Sequence, residues 1–248
     1  MEATQQKQRE TAAIAEGKVH TVEKQTTVVY KPVETNNVNT YSTVLPKRYF
    51  YRFVKRAFDI LASLLGLILL LPLFLVVAVA IYIDDPGPVL FFQDRNGKQG
   101  RVFRMWKFRS MVRNAPSLRF EMEAQNELDG PAFKLTNDPR ITRVGKIIRK
   151  YSIDELPQLV NILLGQMSIV GPRPLPTYET EQLTEEQRRR LLVKPGLICY
   201  WQISGRSNIP FDEWMEMDYR YIREAGILTD LKIMFKAVPA VFSGKGAA

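Results

Sequence analysis

The strongest feature of the hydropathy pattern is an uncharged run, Ile60 to Ile83, between a polar N-terminal stretch and a body of shorter periodic segments. As one helix its 24 residues would measure ~36 Å, enough to cross a hydrocarbon core of ~30 Å. Pro72 stands at the midpoint, where it removes a helix hydrogen bond and crowds the preceding turn. Two readings follow: one spanning helix, or a helix bent at Pro72 that enters and leaves by one face. Unpaired backbone at the bend counts against the second. The flanks favour it, because both are basic: Lys47, Arg48, Arg52, Lys55 and Arg56 before, Arg95, Lys98, Arg101, Arg104, Lys107 and Arg109 after.

Beyond the run, Asp84-Asp85-Pro86-Gly87-Pro88 is a stop and turn. Val89 to Gln93 and Arg101 to Phe108 read as two strands joined by Asn96-Gly97-Lys98-Gln99-Gly100, a hairpin with basic residues on both faces of its second strand. Residues 116–129 read as a polar helix. Ile141 to Tyr151 reads as a basic amphipathic helix with Val144, Ile147, Ile148 and Tyr151 on one face, a pattern suited to a membrane surface or to an ordinary solvated helix. Glu185 to Arg190 reads as a solvated charged helix, and Lys194-Pro195-Gly196 as a type II turn. Phe211 to Arg223 is an aromatic-rich core helix, and 227–242 a closing helix interrupted near Pro239.

Charge and composition narrow the chemistry. The net charge is +9. The first 46 residues carry five basic and five acidic groups, so the whole excess falls on residues 47–248. Residues 1–46 lack periodic apolar faces and are expected to form a disordered polar tail or a partner-binding arm; they do not resemble a secretory signal. With one histidine (His20, in the tail) and one cysteine (Cys199), neither an intramolecular disulfide nor a Cys/His zinc site can form. Acid–base or nucleophilic work in the body falls to carboxylates, lysines, tyrosines, hydroxyls or that single thiol.

The densest segment is Ser152-Ile153-Asp154-Glu155-Leu156-Pro157-Gln158-Leu159. Ser152 and Glu155 have capping-box spacing, so a helix start is one reading. The other is functional: two adjacent carboxylates near Arg149, one a nucleophile and its neighbour a Mg²⁺ ligand, at a terminus that helps hold phosphate. Arg173, between Pro172 and Pro174, is either a surface-turn arginine or one aimed for bidentate phosphate binding. Gly205-Arg206-Ser207 could cradle phosphate or only turn the chain.

The ordered set PGPVLFFQ (86–93), KFRSM (107–111), DPRITRVGK (138–146), SIDELPQL (152–159), MSIVGPRP (167–174), KPG (194–196) and WQISGR (201–206) resembles the bacterial sugar transferase family, the monotopic phosphoglycosyl transferases. The resemblance covers about 47–248. It implies an α+β, mostly helical fold with a re-entrant membrane helix kinked at a proline, a small β-hairpin and amphipathic interfacial helices. The implied enzyme moves a sugar-1-phosphate from a UDP-sugar to undecaprenyl phosphate, releases UMP and requires Mg²⁺. It would initiate exopolysaccharide, O-antigen or glycoconjugate synthesis at the bacterial cytoplasmic membrane, with its catalytic domain facing the cytosol. Nucleic acid is not an expected partner.

By position, the resemblance makes Asp154 the nucleophile, through a phosphosugar–aspartyl intermediate, and Glu155 the Mg²⁺ ligand. Arg149 and Arg173 become phosphate-binding arginines and Pro72 the kink proline. Lys107 and Arg206 rank lower as phosphate or nucleotide contacts, and Asp230 as a support for the metal or an arginine. Leu71 stands where relatives often carry serine before the kink proline, and Ile198 and Cys199 where threonine and glycine are common. Larger relatives carry a multi-helix membrane domain before this region, so a compact form is expected. The competing reading is a membrane-anchored basic scaffold without catalysis.

Overall fold

A computed structural model describes residues 48–243 except 123–124, 128–130, 132, 134, 136 and 206–208. The 1–46 tail and Arg206 therefore lie outside the described residues. The uncharged run becomes two helices, α1 (Tyr49–Leu69) and α2 (Leu71–Asp84), bent by 59°. The break falls at Leu70, two residues before Pro72, which sits in the first turn of α2. In a first turn a proline's missing amide is needed by no helix bond, so Pro72 is accommodated there. The halves are unequal because α1 starts well before the uncharged run, recruiting Tyr51, Lys55 and Arg56. Among the described residues no single helix is long and apolar enough to cross a membrane; the bent pair reaches the needed length and apolar composition only when its two helices are taken together.

One face of each half packs on the body. Asp59 is buried in α1, where its Oδ1 accepts hydrogen bonds from the Ser168 hydroxyl (3.0 Å) and the Ile169 amide (2.9 Å). Arg56 donates to the carbonyls of Ile162 (2.7 Å) and Leu163 (2.9 Å), closing the C-terminus of α5 (Gln158–Leu163), an end where cations are favoured. Leu67 and Leu70 join a cluster of Phe103, Met105, Leu159, Ile162 and Met167. Val77 and Ile81 of α2 bury against Phe108 and Ile148. The outward faces stay apolar, with Phe50, Phe53, Leu61, Ile68, Leu75, Val76, Val79 and Ile83 all exposed.

The hairpin forms as its turn chemistry implies: β1 (Leu90–Asn96) pairs antiparallel with β2 (Val102–Phe108), Phe92 opposite Trp106 and Phe91 opposite Lys107. The short helix α3 spans only Ala115–Glu121, less than the polar pattern suggested. Helix α4 (Arg143–Lys150) is capped by Thr142, whose Oγ1 accepts from the Gly145 amide at 3.0 Å, and by Asp84, whose Oδ2 accepts from the Val144 amide at 2.8 Å. Its expected apolar face divides: Ile148 is buried, while Ile147 and Tyr151 are exposed. The stop signal thus does more than end α2. Asp84 ties α2 to α4, and Asp85 lies 3.4 Å from buried Arg109, which also donates to the Asp85 carbonyl.

A second, parallel sheet joins β3 (Ser168–Val170) to β4 (Gly196–Ile198), which the sequence pattern did not announce. Gly196 is not a type II turn glycine, since its φ lies outside the left-handed region. Its requirement is close approach, because a Cβ there would lie 2.0 Å from the Gly171 amide nitrogen. The helices α6 (Thr177–Glu181), α7 (Tyr200–Ser204), α8 (Phe211–Glu224) and α9 (Ile227–Ser243) complete the body. As its aromatic spacing implied, α8 buries Trp214 and Tyr221. Helix α9 runs through Pro239 without a break. The expected solvated helix at 185–190 is instead a 3₁₀ segment, Gln187–Leu192, with Arg190 buried against Asp218.

Candidate active site

Asp154 and Glu155 occupy one 3₁₀ turn, Ile153–Glu155, between α4 and α5. The chain enters it through Ser152 at φ 56°, a left-handed conformation that a non-glycine residue adopts at a cost. In that conformation the Ser152 side chain makes no capping bond, so the capping box implied by the Ser152/Glu155 spacing is not formed. Both carboxylates are buried, at 6% and 7% exposure. The turn faces β2 on one side and the proline-flanked Arg173 on the other.

Glu155 is the electrostatic hub. Arg173 grips it with both arms of its fork, Nη2 to Oε1 at 2.6 Å and Nη1 to Oε2 at 3.2 Å. Lys107 donates to Oε1 at 3.1 Å. Gln202 donates to Oε2 at 3.4 Å, and its amide is oriented by the Cys199 N–H, which gives a hydrogen bond to Gln202 Oε1 at 3.0 Å. Arg95 holds the proline segment itself, through a 2.8 Å bond to the Pro174 carbonyl. Burial alone would raise the Glu155 carboxyl; the adjacent Arg173 and Lys107 outweigh it and hold the group well below the usual carboxylate range.

Asp154 has the opposite balance. Burial pushes its pKa up, the Glu155 charge adds to this, and Lys107, Arg149 and Arg173 only partly offset the two. The neighbouring carboxyls are thus driven apart, one firmly ionised and the other a poorly solvated carboxylate. Lys107 is lowered by burial and by the Arg173 charge, against the pull of Glu155. Burial, with the Asp218 charge, moves the Cys199 thiol up to about 12, so the lone cysteine stays a neutral packing group rather than a nucleophile.

Of the residues singled out in the sequence, Asp154, Glu155, Lys107 and Arg173 meet at this point, and Arg149 acts on Asp154 through its charge. Asp230, which the resemblance offers as a support for the metal or an arginine, has other partners among the described residues. Its carboxylate is taken by Lys55 (2.7 Å), Tyr51 (2.9 Å) and Tyr221 (3.0 Å), where α9 packs on α1. Those partners come from distant segments, which local spacing does not reveal. Gln202 and Trp201 escaped assignment of a role, although they stand in the WQISGR motif; the Arg173 guanidinium lies over the Trp201 ring, 5.4 Å from its centroid.

Among the described residues no three His, Cys, Asp or Glu side chains cluster as metal ligands. A Mg²⁺ site does not need them, because that ion often uses one or two carboxylates and completes its shell with water and substrate phosphate. The Asp154–Glu155 pair fits such a site only with phosphate present. Both Glu155 oxygens otherwise serve Arg173, Lys107 and Gln202.

A buried carboxylate pair framed by cations has the charge pattern that phosphate chemistry calls for. The bacterial sugar transferase family model matches residues 50–244. The chain is 44% identical over 217 residues to the galactosyl transferase CpsE of Streptococcus agalactiae, covering 86% of this chain and 47% of that protein. It is 41% identical over 205 residues to the UDP-glucose:undecaprenyl-phosphate glucose-1-phosphate transferase of Escherichia coli, covering 79% and 42%. It is 40% identical over 197 residues to the exopolysaccharide production protein ExoY of Sinorhizobium fredii, covering 78% and 87%. The chain thus spans about half the length of the first two relatives and most of the third. With a match that runs from the start of α1 to the end of α9, the chain belongs to the bacterial sugar transferase family.

Proposed function

We propose that the chain transfers a sugar-1-phosphate from a UDP-sugar to undecaprenyl phosphate and releases UMP, the first lipid-linked step of a polysaccharide or glycoconjugate. The observation that carries this reading is the buried Asp154 carboxylate beside a Glu155 that Arg173 and Lys107 hold ionised. The E. coli relative's name states a UDP-sugar donor and an undecaprenyl phosphate acceptor.

In the first step an Asp154 oxygen attacks the phosphorus that bears the sugar. An O–P bond forms to the aspartate, the bond to the bridging oxygen breaks, and UMP departs with the electron pair. Arg149, Arg173 and Lys107 offset the charge that builds on the phosphoryl and leaving oxygens. In the second step a phosphate oxygen of undecaprenyl phosphate attacks the same phosphorus, and the Asp154 carboxylate is regenerated as leaving group. Burial favours the attack, because a poorly hydrated carboxylate sheds little water to react. Mg²⁺, which Glu155 would hold, supplies charge neutralisation of the diphosphate and of the leaving UMP. A donor screen reading UMP in nanodiscs tests the proposal: with at least one UDP-sugar and Mg²⁺, repeated turnover is expected only when undecaprenyl phosphate is present, and donor alone releases no more than one equivalent of UMP. No release with any donor would contradict it.

The bent α1–α2 pair is read as a re-entrant element of the cytoplasmic membrane, with the catalytic body (47–248) on the cytosolic side and Pro72 permitting the bend. Its outward apolar faces and basic flanks on both sides support this. A cysteine placed at Arg52 and one placed at Asn114 are then both expected to react with a membrane-impermeant maleimide in inverted vesicles and in neither case in intact spheroplasts. Labelling of the two from opposite sides would establish a spanning helix instead.

A further inference from the structure

Arg173 is held at both of its ends by groups outside the carboxylate pair. Its carbonyl accepts a 2.5 Å hydrogen bond from Nη2 of Arg190. Arg190 lies 2.8 Å from the Asp218 carboxylate, with both side chains buried, and its guanidinium covers the Trp214 ring 5.4 Å from the centroid. Trp214 stacks on Trp201 at 4.9 Å and 25°, and Trp201 carries the Arg173 guanidinium on its own face. The contacts close into a ring that runs from the Arg173 main chain through Arg190, Trp214 and Trp201 back to the Arg173 fork. It draws on three separate segments: the 3₁₀ turn 187–192, α7 and α8.

We propose that Arg190 and Trp201 are positioning residues that fix Arg173 for the diphosphate of a sugar nucleotide, with Asp218 and Trp214 anchoring them. This rests on the reading of Arg173 as a phosphate-binding residue. The physical case concerns freedom and planarity. A long side chain that is already immobilised loses little on binding, so affinity is gained without a new contact. Pro172 and Pro174 restrict the main chain around Arg173, but they leave its side-chain torsions free. The Trp201 face and the Glu155 carboxylate remove that freedom. Nη2 of Arg190 alone reaches both the Asp218 carboxylate and the Arg173 carbonyl, while the planar guanidinium covers the Trp214 ring; a lysine carries the charge without that flat face. A buried ion pair is weak evidence for stability, so the Arg190–Asp218 pair is read for the geometry it holds.

Isothermal titration with inorganic pyrophosphate, on the full chain in nanodiscs, tests this directly. Trp201→Phe keeps an aromatic face and is expected to bind as wild type. Trp201→Leu and Arg190→Lys are expected to bind about tenfold more weakly, the order set by ordering one rotamer-rich side chain. In UMP release, with the UDP-sugar that the wild type turns over best, the donor KM rises by that factor and the undecaprenyl phosphate KM does not. Should Arg190→Lys fail to fold, the Trp201 pair decides. Trp201→Leu binding as tightly as wild type overturns the proposal, and so does a fall in kcat with the donor KM unchanged. A wild type that binds no pyrophosphate overturns the phosphate site itself, and this proposal with it.

Discussion

Asp154→Asn is expected to lower UMP release by at least about 10⁴-fold, the scale of losing a covalent nucleophile. The carboxamide has nearly the same shape but cannot form the acyl phosphate. The loss should come without unfolding. Burial disfavours the charged form of Asp154, so a neutral group at that position relieves desolvation rather than adding to it. The melting temperature is therefore expected to stay level or rise. Turnover within tenfold of wild type would sink the assignment of Asp154 as nucleophile.

Arg173→Gln is the second large effect, a loss of about 10² to 10³-fold in kcat/KM, as for removing one donor aimed at developing charge. Two further consequences follow from the site's electrostatics. Arg173 is the largest of the charges that lower Glu155, and it also lowers Asp154, so its removal raises both groups. Attack requires Asp154 ionised, so the acidic limb of the pH–rate profile should move to higher pH in the variant. A depressed carboxyl contributes stability that is present above its unfolded pKa and lost as pH falls through the folded value. Glu155 is such a group, so the variant should melt lower than wild type at neutral pH, with the gap narrowing on acidification. An unmoved acidic limb would show that Arg173 does not act on this pair.

The parts legible in the sequence were those encoded locally. The hairpin followed from the Asn96–Gly100 turn between two β-rich runs, and α8 from the spacing of Trp214 and Tyr221. The expectation of a bend within the uncharged run matches the break at Leu70, two residues before Pro72. What misled was chemistry completed by distant partners. Ser152 has the spacing of a cap yet adopts a left-handed turn, since the segment is shaped by what Glu155 meets from β2 and from the Arg173 loop. Asp84 and Asp85 end α2 as their stop signal implied, but their second use, for α4 and Arg109, was not legible locally. Asp230 was placed with the site by resemblance alone, and its partners Lys55, Tyr51 and Tyr221 are ones that local spacing does not reveal. Arg190 sits in a run of charges that looks solvated, and only the fold reveals Asp218 and Trp214 behind it. Periodicity reports which face is buried; it is silent on which long-range partner a buried charge will find.

Passage of the phosphosugar through Asp154 can be read by incubating the protein with donor and Mg²⁺ but no lipid acceptor, then mapping the digested chain by mass spectrometry. A phosphosugar on the peptide that carries Asp154, with stoichiometric UMP and removal of the adduct on adding undecaprenyl phosphate, is the expected result. No adduct, with UMP appearing only when donor and acceptor are present together, would contradict the claim and leave Asp154 as a base in a single displacement.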